Sequence, residues 1–148
     1  MKLLLTAASM LGIVLFAACG DDDEEDGGAN EIGVTLQEWS VIPDAASAET
    51  GEVTFNVENV GPDDVHELVI VKTELDADNL PTADDGSVDE EGAGMEVIDE
   101  IEDIPVGETQ TLTVDLEAGA YVLICNIYDE DEDEAHYEEG MRTAFTVE

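Results

Sequence analysis

The chain has 148 residues, which suffices for one domain with export and tether segments but not for two cores of ordinary size. It carries 40 acidic residues against three Lys or Arg, for a formal net charge of −37 at pH 7. This charge excludes nucleic acid as a partner, because phosphate binding needs the opposite sign. It favours cationic partners or metal ions, and it is typical of an exported protein from a salty habitat or of an acidic, loop-rich surface in ordinary medium.

The N-terminus predicts a secretory signal over residues 1–18. Lys2 supplies a short positive region, and the apolar run from Leu3 to Ala18 is too short and wrongly flanked for a transmembrane helix. The run ends on Phe16-Ala17-Ala18-Cys19, which resembles the lipobox of bacterial lipoproteins, where the Cys is acylated and becomes the mature N-terminus. The resemblance implies lipidation at Cys19 and anchoring to the outer face of the cytoplasmic membrane, at the cell surface or in the periplasm. The alternative is ordinary cleavage after Ala18.

Residues 19–31 predict a flexible tether. The segment from Asp21 to Asp26 is purely acidic, and Gly27-Gly28 follows it. Such a run repels itself and does not pack, so we expect it to hold the domain away from the membrane.

From residue 32 to residue 148 the sequence predicts one domain made of strands. The segments Val65 to Val71 and Tyr121 to Cys125 are apolar almost throughout, as in strands that are buried on both faces. Alternating apolar positions predict further strands that begin near Ile32, Trp39, Val53, Leu112 and Met141. No stretch after the signal carries a helical stripe. Six or seven short strands separated by turns predict an all-β fold, a Greek-key β-sandwich.

A long excursion interrupts these strands at about residues 76–94. It is acidic, rich in Gly, Ala and Thr, and without a sustained period, and Met95 to Ile104 returns to partial order. Its acids are candidates for calcium binding, but the spacing of an EF-hand loop is absent. A solvated surface loop is therefore the favoured interpretation.

The cysteines give the first indication of a metal. There are two, and if Cys19 is lipidated then Cys125 is the only thiol of the mature protein, without a disulfide partner. In an oxidising compartment a lone thiol is a liability unless it is buried or bound to something.

Four side chains together form a metal-ligand set. His66 opens a buried strand, Cys125 closes another, His136 lies in the next loop, and Met141 starts the last strand. A thiolate, two imidazoles and a weak thioether are the ligands of a mononuclear electron-transfer copper site. Each of them alone has an ordinary explanation as a core or solvated residue. The chain has only two His residues, however, and both fall where the set needs them. Trp39, the only Trp, is interpreted as a core residue without a redox role.

Longer motifs around these residues match a known family. Gly119-Ala120-Tyr121-Val122-Leu123-Ile124-Cys125 and His136-Tyr137-Glu138-Glu139-Gly140-Met141 resemble the C-terminal copper loop of cupredoxins such as plastocyanin, azurin and sulfocyanin-like blue copper proteins. The stretch His66-Glu67-Leu68-Val69-Ile70 and the closing Phe145-Thr146-Val147 are similar to that family too. The resemblance covers roughly residues 34–147. It implies a Greek-key β-sandwich that holds one type 1 copper ion, cycling between Cu(I) and Cu(II), through His66, Cys125, His136 and Met141.

The sequence departs from the family between Cys125 and His136. A short loop joins these ligands in the family, whereas here ten residues do, and Asp129 to Glu134 are six acids in a row. The longer loop costs only about 0.8 kcal/mol in closure entropy. It predicts a looser or wetter site, or one open to an extra carboxylate ligand, and nearby anions favour Cu(II) and lower the reduction potential. The inserted acids are equally suited to dock a cationic partner or to bind a second ion.

The resemblance implies an electron carrier and not an enzyme. It predicts a monomeric, membrane-tethered copper protein that shuttles single electrons between extracytoplasmic redox partner proteins, cationic ones included. No nucleophile–base pair or Gly-rich phosphate loop indicates hydrolysis or group transfer. The alternative is a non-redox binding module of the same fold, which sequesters or delivers copper, or binds cations or basic partners through its acidic loops.

Overall fold

A computed structural model describes residues 30–148, which form two β-sheets and a small hairpin. The predicted signal at residues 1–18, the predicted lipidation site Cys19 and nearly all of the predicted tether lie outside the described residues. Within residues 30–148, no helix is long and apolar enough to cross a membrane.

The described residues form eleven strands and one short α-helix. In chain order the strands are β1 (Glu31–Gln37), β2 (Ser40–Pro43), β3 (Ser47–Ala48), β4 (Gly51–Asn59), β5 (His66–Thr73), β6 (Met95–Ile104), β7 (Thr109–Leu116), β8 (Gly119–Ile124), β9 (Tyr128–Asp129), β10 (Glu134–Ala135) and β11 (Arg142–Val147). Helix α1 (His136–Glu139) lies between β10 and β11, and Ala77–Asn79 forms a 3-10 turn.

The strand count exceeds the six or seven predicted, chiefly because β3, β9 and β10 have two residues each and leave no alternating pattern in the sequence. The prediction of only partial order from Met95 to Ile104 is wrong. This segment forms the ten-residue strand β6, because it pairs along β5 through two register shifts.

The two sheets face each other across one apolar core. Their strand orders are β2-β1-β4-β7 and β3-β11-β8-β5-β6, with β1 parallel to β4 and β3 parallel to β11. Alternate residues of the strands point inward, as the period of two requires, and Phe55 of one sheet packs edge-on against Phe145 of the other, with ring centroids 5.8 Å apart. Full burial of each large apolar side chain contributes roughly 1.5–3 kcal/mol to the free energy of unfolding.

The outer face of β5 and β8 is covered as well. Val69, Val71, Val122 and Ile124 form a second apolar cluster with Leu80 and Val88 of the excursion and with Tyr137 of α1. This second layer explains why both strands are apolar almost throughout. The acids of residues 76–94 are exposed, as in a surface loop, but Leu80 and Val88 are only 5% and 4% exposed and anchor the excursion to the sheet.

The order of three neighbouring strands brings the predicted ligands to one end of a sheet. In the order β11-β8-β5, both pairs are antiparallel, and Ile124 at the end of β8 pairs with Val69 on one side and Arg142 on the other. The start of β5, the end of β8 and the start of β11 therefore lie side by side.

Candidate metal centre

Three of the four predicted ligands converge at this end of the sheet. His66 Nδ1 lies 3.3 Å from His136 Nδ1 and 3.9 Å from Cys125 Sγ, and that sulfur lies 3.3 Å from His136 Nδ1. Metal–ligand bonds of 2.0–2.3 Å put neighbouring donors of a tetrahedral centre about 3.3–3.8 Å apart. The two nitrogens and the sulfur thus surround a space of the size of one metal ion.

The cluster is sealed from solvent. His66 and Cys125 are fully buried, and His136 is 2% exposed. Burial lowers the pKa of both His side chains below the ordinary value, so both rings are neutral at pH 7. A neutral imidazole keeps one nitrogen lone pair free, which is the form that binds metal.

The Cys125 thiol, unlike the two histidines, must lose a proton to bind a metal. Burial raises the pKa of this thiol to about 12, so without a cation the sulfur keeps its proton at pH 7. A metal cation favours the thiolate strongly enough to displace that proton. The backbone N–H of Glu67 points at Sγ from 3.4 Å and offers the thiolate a hydrogen bond.

Met141 joins the other ligands through the backbone. It is fully buried, its N–H donates to the His136 carbonyl at 3.0 Å, and its carbonyl accepts from the Cys125 N–H at 3.0 Å. Gly140 makes the preceding turn with φ of 128°, where a Cβ would lie 3.1 Å from the Trp39 carbonyl oxygen. Met141 therefore lies beside the cluster, and thioether ligation by it stays a prediction.

The ten residues between Cys125 and His136 form a small hairpin of their own. Strands β9 and β10 pair Tyr128 with Ala135 and Asp129 with Glu134, and the His136 N–H donates to the Ile127 carbonyl at 2.9 Å. This hydrogen bond closes the base of the hairpin. It places His136 next to Ile127, two residues after Cys125, although the chain between the two ligands is long. His136 is buried despite the insertion, which disagrees with the expectation of a wetter site.

The loop that leads into His66 is fixed by two side chains. Fully buried Asn59 donates from Nδ2 to the Asp64 and Ile104 carbonyls at 2.8 Å each and accepts from the Gly61 N–H at 2.8 Å. Glu38 Oε1, from the β1–β2 turn, accepts from the Asp63 and Asp64 N–H groups at 3.0 and 2.7 Å. Burial opposes ionisation of Glu38, but these backbone donors outweigh it and hold the pKa of the carboxyl below its ordinary value.

The excursion is tied to the residue that follows Cys125. The Asn126 side chain accepts from the Val88 N–H at 2.5 Å and donates to the Val88 carbonyl at 3.1 Å, while the Asn126 N–H donates to Glu67 Oε1 at 2.9 Å. Burial raises the pKa of Glu67 to about 7, and the nearby Glu100 and Glu90 carboxylates act in the same direction. Residues 76–94 thus buttress the cluster from outside the sheet.

Sequence reasoning missed two residues that contact the cluster. Trp39 packs edge-on against His136, with ring centroids 5.0 Å apart, and Glu38 Oε1 lies 3.7 Å from His66 Nε2. Both come from the other sheet, and no spacing in the sequence relates them to the ligands. The only available signal was that Trp39 is the single Trp of the chain.

The donor set fits one type 1 copper ion. Thiolate is soft and suits Cu(I), imidazole suits both oxidation states, and two imidazoles with one thiolate are the ligands of electron-transfer copper sites. The cluster of His66, Cys125 and His136 is the only group of three or more such side chains within metal-binding distance among residues 30–148.

Solved structures of similar fold support the prediction of a cupredoxin-like β-sandwich. Auracyanin from the photosynthetic bacterium Roseiflexus castenholzii is 23% identical, with a TM-score of 0.56 over 80% of this chain and 97% of that one. Auracyanin A, a "blue" copper protein from Chloroflexus aurantiacus, is 21% identical, with a TM-score of 0.54 over 80% and 98%. Reduced rusticyanin is 17% identical, with a TM-score of 0.52 over 80% and 78%.

These similarities confirm the predicted cupredoxin fold, an all-β sandwich. No protein-family model matches the sequence, and neither does any curated protein. At such low identity the likeness shows the fold alone, and the evidence for a metal site is the cluster of His66, Cys125 and His136.

Proposed function

We propose that this chain is a copper protein that carries single electrons between redox partners. One observation supports this above all: two neutral imidazoles and one thiol converge within 3.9 Å in a sealed pocket of a cupredoxin fold. A bound copper ion supplies one-electron exchange between Cu(I) and Cu(II).

The residues of the chain supply a fixed and dry geometry for that exchange. His66 and Cys125 are held at the ends of paired strands, and His136 is held by the closed base of the β9–β10 hairpin. Fixed ligands change position little between oxidation states, and a site without water has little solvent to reorganise. The burial of all three ligands also leaves no open position for a substrate, which argues against an enzyme.

Copper addition to the full chain tests the proposal. One equivalent of Cu(II) should give an intense visible thiolate-to-copper absorption band, and Cys125→Ser should abolish it. Cys19→Ser is the matched control, because it removes the other cysteine and should leave the band intact. Absence of the band in the wild type, or its survival in Cys125→Ser, contradicts the proposal.

Voltammetry distinguishes a carrier from a module that stores or delivers copper. A carrier cycles repeatedly between oxidation states while one copper per chain is retained. The sealed cluster favours the carrier, because a donor of copper needs a ligand within reach of its recipient. Loss of copper on reduction would support delivery instead.

We further propose that the chain is exported and anchored by a lipid on Cys19. The proposal is supported by the apolar run that ends at Ala18 and by the acidic segment after Cys19. Expression in a bacterial host with labelled fatty acid should label the wild type and place it in the membrane fraction. Cys19→Ser should be unlabelled, and an unlabelled wild type contradicts the anchor.

A further inference from the structure

His66 has one ring nitrogen that is buried without a hydrogen-bond partner among the described residues. Its Nδ1 faces the cluster, whereas Nε2 faces away from it and has no partner. When Nδ1 binds a metal, the ring proton is on Nε2. A buried N–H donor without an acceptor destabilises the folded state, so an acceptor close to Nε2 would stabilise this form of the ring.

Glu38 carries the complementary unpartnered atom. Its Oε2 is also buried and has no hydrogen-bond partner within residues 30–148, its side chain is 11% exposed, and its Oε1 lies 3.7 Å from His66 Nε2. That distance exceeds a hydrogen bond by only about 0.5 Å. A small adjustment of either side chain brings the Nε2 donor, which lacks an acceptor, within hydrogen-bond distance of the Glu38 carboxylate.

The position of Glu38 is fixed by the chain that leads into His66. Its Oε1 accepts hydrogen bonds from the Asp63 and Asp64 N–H groups, which lie before the start of β5 with one residue between. Glu38 therefore connects the turn between β1 and β2, in one sheet, with the ligand at the start of β5, in the other. Two backbone hydrogen bonds on a carboxylate whose side chain is only 11% exposed describe a built arrangement and not a passing surface contact.

We propose that Glu38 is a positioning residue for His66. Its carboxylate accepts a hydrogen bond from Nε2–H, holds the ring with Nδ1 toward Cys125, and increases the electron density at Nδ1. An anion paired with a ligand in this way stabilises Cu(II) more than Cu(I), and so strengthens Cu(II) binding and lowers the reduction potential. The inference rests on the proposed function for the identity of the ion.

Glu38→Gln tests the role of the charge. The amide keeps the length of the side chain and an acceptor oxygen, but it removes the anion. We expect Cu(II) affinity to fall about 10- to 100-fold, the usual effect of losing such a partner, with a smaller loss for Cu(I). A preferential tenfold loss of Cu(II) affinity corresponds to an upward shift of the potential by about 59 mV.

A distant carboxylate provides the matched control. Glu52→Gln changes the net charge by the same amount, but Glu52 is exposed near the start of β4, at the end of the sheet away from His66. We expect a much smaller change in affinity and potential from this variant. Equal shifts of affinity and potential in the two variants contradict the proposal, because Glu38 would then act only through the net charge of the protein.

A second measurement needs no variant. In the Cu(I)-loaded wild type, the His66 Nε2–H should give a low-field proton resonance that exchanges slowly with water, and a rapidly exchanging proton overturns the proposal. A wild type without the visible band contradicts the proposed function instead. The Glu38→Gln and Glu52→Gln comparison is then made with Zn(II), which the same His and Cys ligands bind.

Discussion

The two histidines of the cluster have different surroundings, although both present Nδ1 to the same space. His66 is enclosed by β5 and by the Glu38 carboxylate, whereas His136 sits on a hairpin base with the edge of Trp39 against its ring. Substitutions at the two positions therefore test different things. A substitution of His66 tests how the Glu38 charge affects the metal site, and a substitution of His136 tests the role of the hairpin that holds this ligand.

Met141→Leu tests the predicted thioether ligand. Leu and Met have similar volumes, so we expect the free energy of unfolding to change by less than about 1.5 kcal/mol. Three stronger donors are retained, and the visible band should persist. Cu(II) has the higher charge and is destabilised more than Cu(I) when a donor is removed, so the reduction potential should rise, as measured by voltammetry. A potential equal to that of the wild type would show that Met141 is not a ligand.

Glu67 gives the metal-free protein a specific dependence on pH. Burial raises the pKa of Glu67 from 4.5 to about 7, so the folded state binds more protons than the unfolded state between these values. Its contribution to the free energy of unfolding is complete below pH 4.5 and is lost as the pH rises to 7. Glu67→Gln should remove this dependence and stabilise the metal-free protein at pH 8, by on the order of 2–3 kcal/mol.

Urea unfolding of the metal-free protein at pH 4, 6 and 8 measures the effect. Glu100→Gln is a useful comparison, since the pKa of Glu100 is also raised by burial and by neighbouring carboxylates but this side chain is exposed. Its effect should have the same sign and be smaller. A Glu67→Gln variant that keeps the pH dependence of the wild type contradicts the assignment.

Among the elements, those with a local pattern could be predicted from the sequence. Alternation placed β1, β4 and β7, and continuous apolar runs placed β5 and β8, because these patterns follow directly from which faces are buried. The candidate ligands could be predicted too, because thiolate, imidazole and thioether are the donors of electron-transfer copper sites. The hairpin closure, the seating of Leu80 and Val88 on the sheet, and the approach of Glu38 to His66 depend on contacts between distant segments, which no local period records.

Shortening the β9–β10 hairpin tests whether the insertion matters to the cluster. Because Tyr128 pairs with Ala135, replacing the six residues between them by Asn-Gly leaves a two-residue hairpin loop. The hydrogen bond from His136 to Ile127 lies outside the deletion, so copper binding and the visible band should persist. Removal of six anions should raise the reduction potential.

A second variant separates the length of the hairpin from its charge. Changing the same six acids to Asn and Gln keeps the length and should raise the potential about as much as the deletion does. Loss of the visible band only in the shortened variant would show that the hairpin itself holds His136 in place. Unchanged potential in both variants would show that its charges are screened from the site.

At the scale of the whole molecule, charge is the dominant property. Forty acids face three bases, and both bases within residues 30–148 are already paired, Lys72 with Glu117 at 2.8 Å and Arg142 with Asp78 at 2.7 Å. Exposed pairs of this kind contribute little to stability. Most of the acids therefore repel one another in the folded state, where they are closer together than in the unfolded chain.

This repulsion predicts that salt stabilises the protein. The Debye length falls from about 30 Å at 0.01 M to about 10 Å at 0.1 M and about 3 Å at 1 M salt. The free energy of unfolding, measured with urea at pH 8, should rise with NaCl, and most steeply below about 0.3 M. A lower pH should reduce the salt effect, because protonated carboxyls no longer repel.

A variant with fewer surface charges should also show a weaker salt dependence. Suitable positions are three exposed acids of β4 and β7, changed to Asn or Gln: Glu52, Glu58 and Asp115. Stability that is flat in NaCl would mean that the acids are far enough apart for water alone to screen them.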